Sequence, residues 1–232
     1  MRRYLVVDDN HAFAENVAEI LRDSGAEALV ATDGAGALDA LRTGRFDALI
    51  TDMRMPEVDG AALIREARRT DPGLPAIVVS AWTQARELRA AEEVGLLAIL
   101  PKPVPIEQLL ELLGTARRDG LVALIDDDES LVENLTEALR RRGFSVMTAR
   151  TLAESRALDG APFAALVDLR LPDGPDGEVL EQLHDQFPSL PLLVITGDAA
   201  ASVKAPSLGV FLKPFETGAL LNKLEELHQR QP

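Results

Sequence analysis

The same four-part constellation occurs twice in this chain, and that repetition constrains the fold more than any other feature. An acidic pair follows a short apolar run at Asp8-Asp9 and again at Asp126-Asp127. A single Asp ends a second run at Asp52 (ALITD) and at Asp168 (ALVD). A hydroxyl residue ends a third at Ser80 (AIVVS) and Thr196 (LLVIT), and a Lys-Pro step ends a fourth at Lys102-Pro103 and Lys213-Pro214. The copies lie roughly 115 residues apart, far beyond the ~20–50 residues of a solenoid repeat, so the unit is a whole duplicated domain. The register places the domains at residues 1–118 and 119–232.

The apolar runs of the first copy are Tyr4–Val7, Ala28–Ala31, Ala48–Ile50, Ala76–Val79 and Ala98–Leu100. They are continuous rather than alternating, as in strands of a parallel sheet buried on both faces. Helical patterns separate them. Phe13, Val17, Ile20 and Leu21 share one helix face, and Leu131, Leu135, Ala138 and Leu139 repeat the spacing. Leu63, Ile64 and Ala67 mark another helix, and Ile106, Leu109, Leu110 and Leu113 the last of the copy. Thr151 with Glu154 reads as a capping box. The predicted class is therefore α/β, with two doubly wound (βα)5 domains, each on a five-stranded parallel sheet. Ligands of such sheets bind beyond the carboxyl ends of the strands, where the acids, hydroxyls and lysines fall. The joint between a helix ending near Arg117 and a strand starting near Leu121 is too short for a flexible tether, so the domains are expected to touch.

Composition narrows the function. The 232 residues include no cysteine, which excludes disulfide and thiol chemistry. No apolar run approaches the ~20 residues that cross a bilayer, and Arg2-Arg3 leads straight into a strand rather than a signal peptide, so a cytoplasmic protein without membrane contact is expected. A net charge of −14 argues against direct nucleic-acid binding. The basic run Arg140-Arg141-Arg142 closes a predicted helix, where cations suit the negative end of the dipole.

Three carboxylates, a hydroxyl and an ammonium at adjacent strand ends can hold a divalent cation and a phosphoryl group. Phosphoryl transfer is chiefly positioning and charge neutralisation. Mg²⁺ takes oxygen ligands, typically one or two carboxylates plus waters. The expected metal sets are Asp9 and Asp52, with Asp8 through water and the carbonyl of Arg54, and Asp127, Asp168, Asp126 and the carbonyl of Arg170. Lys102 and Lys213 would bring a charge to the phosphoryl oxygens, and Ser80 and Thr196 a hydrogen bond. Asp59, Asp128 and Asp176 are expected to be helix caps or turn residues.

These residues resemble the receiver domain of two-component response regulators, a flavodoxin-like fold, over residues 2–116 and 120–230. The motif set comprises the acid pair, D-x-x-x-P-x-x-D-G from Asp52 to Gly60, the Ser/Thr and the Lys-Pro step. The resemblance implies that Asp52 and Asp168 are phosphoacceptors. It implies a sensor histidine kinase or phosphotransfer protein as donor, a Mg²⁺ requirement, slow autohydrolysis rather than an enzyme's turnover, and cis Lys-Pro bonds. Two departures stand out. The aromatic residue that receivers usually carry three positions before the Lys is replaced by Ile99 and Val210, and Phe211 beside it should face the other way. The clear helix expected over Thr83–Val94 has only a short counterpart between Thr196 and Gly209, with Pro206 inside it. A partner, or a second copy in a homodimer, would then read the Thr83–Val94 face, with the second domain regulating it through the joint. Trp82, beside Ser80, would report Mg²⁺ binding by its emission.

The expected function is a tandem-receiver response regulator in a phosphorelay, with no output domain of its own and a downstream protein partner. An alternative is the sensory N-terminal part of a longer signalling enzyme such as a diguanylate cyclase. A Mg²⁺-dependent phosphohydrolase would carry a second Asp two residues after the nucleophile; Arg54 and Arg170 stand there.

Overall fold

The structure, a computed structural model, describes residues 1–81, 92–174, 177–198 and 208–231. The first sheet has strands β1 (Arg3–Val7), β2 (Glu27–Ala31), β3 (Ala48–Asp52), β4 (Ala76–Ser80) and β5 (Ala98–Pro101), in the order β2-β1-β3-β4-β5. The second has β6 (Leu121–Ile125), β7 (Ser145–Ala149), β8 (Ala164–Asp168), β9 (Leu192–Thr196) and β10 (Gly209–Leu212), in the order β7-β6-β8-β9-β10. Every pairing of neighbouring strands is parallel. The expected α/β class and doubly wound arrangement are found in both copies.

The helices of the first copy are α1 (His11–Asp23), α2 (Gly34–Thr43), α3 (Gly60–Thr70) and α4 (Ile106–Thr115). Those of the second are α5 (Glu129–Arg141), α6 (Leu152–Arg156), α7 (Glu178–Gln186) and α8 (Thr217–Gln229). The continuous apolar runs have the expected cause. In β1, Leu5 and Val7 pack on the face covered by α2 and α3, while Tyr4 and Val6 pack on the face covered by α1 and α4. Strands β6 and β8 divide their side chains between two cores in the same way.

The helix faces are rotated slightly from the sequence expectation. In α1 the buried residues are Ala14, Val17, Ala18 and Leu21, with Phe13 and Ile20 only half-buried. In α5 they are Val132, Leu135, Thr136 and Leu139, with Leu131 and Ala138 at the margin. Small side chains at Ala14 and Ala18 let α1 lie close to the sheet, which carries the larger residues outward. Thr151 caps α6 by accepting from the Glu154 amide, but the Glu154 carboxylate accepts from Arg150 N at 2.6 Å, one residue before the position a capping box uses. Asp59 and Asp128 are helix N-caps as expected; Asp176 lies outside the described residues.

The last helix of the first copy stops at Thr115 rather than near Arg117, because Ala116 turns to an extended conformation. The domains then meet directly. Arg117 N donates to Gly143 O and Asp119 N to Gly73 O. Arg118 bridges Asp71 at 2.6 Å and also donates to Phe46 O. Arg117 and Arg142 share Glu225 at 3.1 and 2.9 Å. Gly143 closes this joint with φ +81°, and a Cβ there would run into the Thr115 carbonyl. Gly25 has the similar φ of +88° with open space around it. Gly25→Ala should therefore cost only the left-handed backbone penalty of about 1–2 kcal/mol. Gly143→Ala should cost about 1–3 kcal/mol more, from forced displacement at the joint. Urea unfolding of both variants checks the difference; equal losses would show that the Thr115 contact is unimportant.

Candidate functional site

Each pocket is built at the switch in strand order, between β1 and β3 and between β6 and β8. The chain leaves both strands on the same side, so Asp8 comes to lie beside Asp52, and Asp126 beside Asp168. Both pairs are held by the lysine that follows the outermost strand. Lys102 Nζ lies 2.6 Å from Asp8 Oδ2 and 2.8 Å from Asp52 Oδ1. Lys213 Nζ lies 2.7 Å from Asp126 Oδ2 and 2.6 Å from Asp168 Oδ2. The two lysine bridges thus agree to within a few tenths of an ångström.

The remaining oxygens are fixed by the backbone. Asp8 Oδ1 accepts from Asn10 N and Asp126 Oδ1 from Asp128 N, each at 3.0 Å. Asp52 Oδ2 accepts from Arg54 N at 2.9 Å and Asp168 Oδ1 from Arg170 N at 3.0 Å. The amides of Arg54 and Arg170 therefore orient the Asp52 and Asp168 carboxylates. Lys102-Pro103 and Lys213-Pro214 are both cis. Gly60 N donates to Met53 O at 2.9 Å, and a Cβ at Gly60 would collide with the Asp52 carbonyl, so the Asp-Gly step lets α3 start against the strand end.

Burial shapes the charges. Asp8 and Asp126 are fully buried, and burial pushes both carboxyls above the usual range against the opposing pull of the lysines. Burial alone would lower the two lysines. Their hydrogen bonds to the aspartates outweigh it, and both ammonium groups end up above the ordinary lysine value. Each pocket is thus a bridged cation between two buried acids, with a third acid, Asp9 or Asp127, exposed at the rim. Asp126, Asp127 and Asp168 bring carboxylate oxygens within 4.8 Å of one another, and they are the trio that meets this spacing among the described residues.

Ser80 and Thr196 are buried at the ends of β4 and β9, and Thr196 Oγ1 accepts from Asp198 N at 3.1 Å. Three contacts had no signal in the sequence. Lys102 Nζ sits 4.5 Å from the centre of the Phe13 ring, a cation–π contact that steadies it from below. Arg170 reaches Asp198 at 2.6 Å across the mouth of the second pocket. Asp173, in the longer loop after Asp168, accepts from Leu152 N and Ala153 N at the start of α6. Phe13 reads simply as a helix-face residue in the pattern, which is why its role was invisible. Phe211, half-buried, packs against the core as alternation required, while Val210 beside it is exposed. Trp82, the helix start at Thr83 and Pro206 lie outside the described residues.

The family profile described as "Response regulator receiver domain" matches this chain twice, over residues 4–114 and 122–225. The chain belongs to the response regulator family. It is a tandem-receiver response regulator, with one receiver on each sheet. A response regulator receiver protein of Anaeromyxobacter sp. (strain Fw109-5) is 52% identical over 232 residues, covering 100% of this chain and 97% of that one. The response regulator MprA of Mycobacterium avium (strain 104) is 39% identical over 108 residues, 47% of each chain, so this chain spans about half of that relative's length. Among solved structures, a response regulator receiver protein from Pseudomonas putida is 34% identical with TM-score 0.47, covering 49% of this chain and 95% of that one. These matches give no support to the diguanylate cyclase alternative. No helix among the described residues is long and apolar enough to cross a membrane.

Proposed function

We propose that both receivers accept a phosphoryl group, on Asp52 and on Asp168, from the phosphohistidine of a sensor kinase or phosphotransfer protein. A carboxylate oxygen forms the new P–O bond as the P–N bond of the donor breaks, and the imidazole leaves. The observation that carries this reading is the duplicated bridge: in each pocket one lysine spans the acceptor Asp and a buried Asp at 2.6–2.8 Å. Such a lysine is placed to turn toward phosphoryl oxygens, with Ser80 or Thr196 donating a hydrogen bond beside it. The donor set is hard oxygen throughout, which fits Mg²⁺ held by Asp9, Asp52, Asp8 and the Arg54 carbonyl, and by Asp127, Asp168, Asp126 and the Arg170 carbonyl. When bound, the ion supplies positive charge to the transferring group.

Output then runs by protein contact in the cytoplasm, with the domain boundary at residues 118 and 119, and the acyl phosphates hydrolyse slowly. Intact-mass measurement after treatment with a small-molecule phosphodonor and Mg²⁺ tests the assignment. Two phosphoryl groups per chain are expected, one in Asp52→Asn or Asp168→Asn, and none in the double variant or in excess chelator. Label retained by the double variant would place the acceptors elsewhere.

A further inference from the structure

The joint contains two arginines, Arg68 buried and Arg140 half-buried, that the phosphoacceptor chemistry does not use. Arg68, from α3 of the first receiver, is 4% exposed and donates through Nη1 to Val94 O. Arg140, from α5 of the second receiver, donates through Nε to Leu96 O at 3.2 Å. The backbone between these two carbonyls is also paired with the second sheet: Leu96 and Val146 exchange two hydrogen bonds of 3.0 Å, an antiparallel bridge onto the edge strand β7. Residues 94–96 are therefore gripped from both domains. Gly95, at φ +81°, is pressed so close to Arg68, Leu121 and Met147 that a Cβ would not fit.

The grip is incomplete. Arg68 Nε and Arg140 Nη2 are buried and have no hydrogen-bond partner. Among the described residues neither arginine forms an ion pair, although the Glu92 charge already opposes the lowering of the Arg140 guanidinium by burial. Leaving a buried charged donor unsatisfied is costly, so this arrangement stands against any alternative that supplies an acceptor. One acceptor is at hand. Glu92, two residues before Val94, lines the same interdomain cleft as Arg140, a space of about 640 Å³ between the β5–α4 side of the first receiver and α5 and β7 of the second. Glu92 and Arg140 thus face one shared space.

Each end of the grip leads to a pocket. Leu96 runs into β5, which delivers Lys102 to Asp8 and Asp52. Arg140 lies in the last turn of α5, whose N-cap, Asp128, directly follows Asp126 and Asp127. One strand and one helix thus join the two acid sites in series through residues 94–96.

We propose that residues 94–96 are a latch that couples the two pockets, so that filling one changes the affinity of the other. The latch has two arrangements: the one described, with Arg140 on the Leu96 carbonyl, and one in which Arg140 also reaches Glu92. Filling the first pocket draws Lys102 away from Asp8 and shifts the balance through β5; by linkage, the second pocket must act back equally. The inference rests on the reading of both clusters as phosphoryl pockets.

Fluorine NMR of the full chain with Mg²⁺ and beryllofluoride, a phosphoryl mimic, tests it. The resonances are assigned to pockets with Asp52→Asn and Asp168→Asn. The second pocket's affinity should differ at least about five-fold between wild type with the first pocket filled and Asp52→Asn. In Asp168→Asn, filling the first pocket should alter amide exchange over residues 121–149. Both effects should vanish in Arg140→Met, and in Glu92→Gln, which keeps the comparison open should Arg140→Met fail to fold. Equal affinities with unchanged exchange would overturn the latch while leaving the pockets intact. Binding at neither pocket would overturn the phosphoryl reading and the latch together.

Discussion

Lys213→Ala should destabilise the second receiver by about 3 kcal/mol at neutral pH, the scale expected when one partner of a buried ion pair is removed. Asp126 has a completely buried side chain and Asp168 a nearly buried one, and Lys213 is the cation that joins them. Without it two carboxylates face each other in a site that already holds the Asp126 carboxyl above its usual range by burial. The loss should shrink as pH falls. A carboxyl whose folded pKa is raised costs stability when ionised, so protonating it on the way down through that pKa removes the cost. Adding Asp126→Asn to Lys213→Ala should recover much of the loss at neutral pH by the same logic. Urea unfolding, followed by amide exchange to separate the two domains, measures all three. A Lys213→Ala loss that is independent of pH and unrelieved by Asp126→Asn would mean that the lysine acts through its packed stem rather than its charge.

The sheets and the pockets were legible in the sequence for one reason: in a buried parallel strand the side chains that do chemistry stand at the carboxyl end, where the apolar run stops. Asp52, Ser80, Asp168 and Thr196 each end a strand in the structure where they end a run in the sequence. Helix faces were less legible. The rotation that buries Ala14 and Ala18 in place of Phe13 and Ile20 depends on how closely α1 approaches the sheet, which apolar periodicity does not encode. The joint was the least legible. Arg140 reads as a cation suited to a helix terminus, yet it is fixed on the backbone of the other domain. Arg68 lies next to Ala67 on the helix marked by Leu63, Ile64 and Ala67 and drew no reading from the pattern, yet burial brings its guanidinium down to about 10. Long-range contacts of this kind depend on how two finished domains meet, and no local pattern records that. The expectation that a partner reads the Thr83–Val94 face falls mostly on residues 82–91, outside the described residues. Ile99, Gln108 and Leu112 line the cleft against the second receiver.

Mg²⁺ should bind the second pocket more tightly than the first and stabilise its domain more. In the second pocket the three carboxylates already converge within 4.8 Å, whereas Asp8, Asp9 and Asp52 do not meet that spacing. A site that needs no rearrangement keeps the free energy it would otherwise spend on ordering its ligands. The ion also relieves repulsion among the acids, so binding appears directly as stability: about 2.7 kcal/mol at a free concentration of 100 times the dissociation constant. For a domain of this size that is a rise of roughly 10 °C in unfolding temperature. Titration with Mg²⁺, read by amide exchange in each domain, should show residues 121–230 responding at concentrations several-fold below those needed for residues 3–115. Asp127→Ala removes the rim carboxylate that completes the trio, and should abolish the first response while the second persists. Asp9→Ala should do the reverse. If both domains respond at one concentration in the wild type, the convergence of the second trio gives no advantage. If Asp127→Ala leaves the response of its own domain unchanged, the ion sits elsewhere and Asp127 is not a ligand.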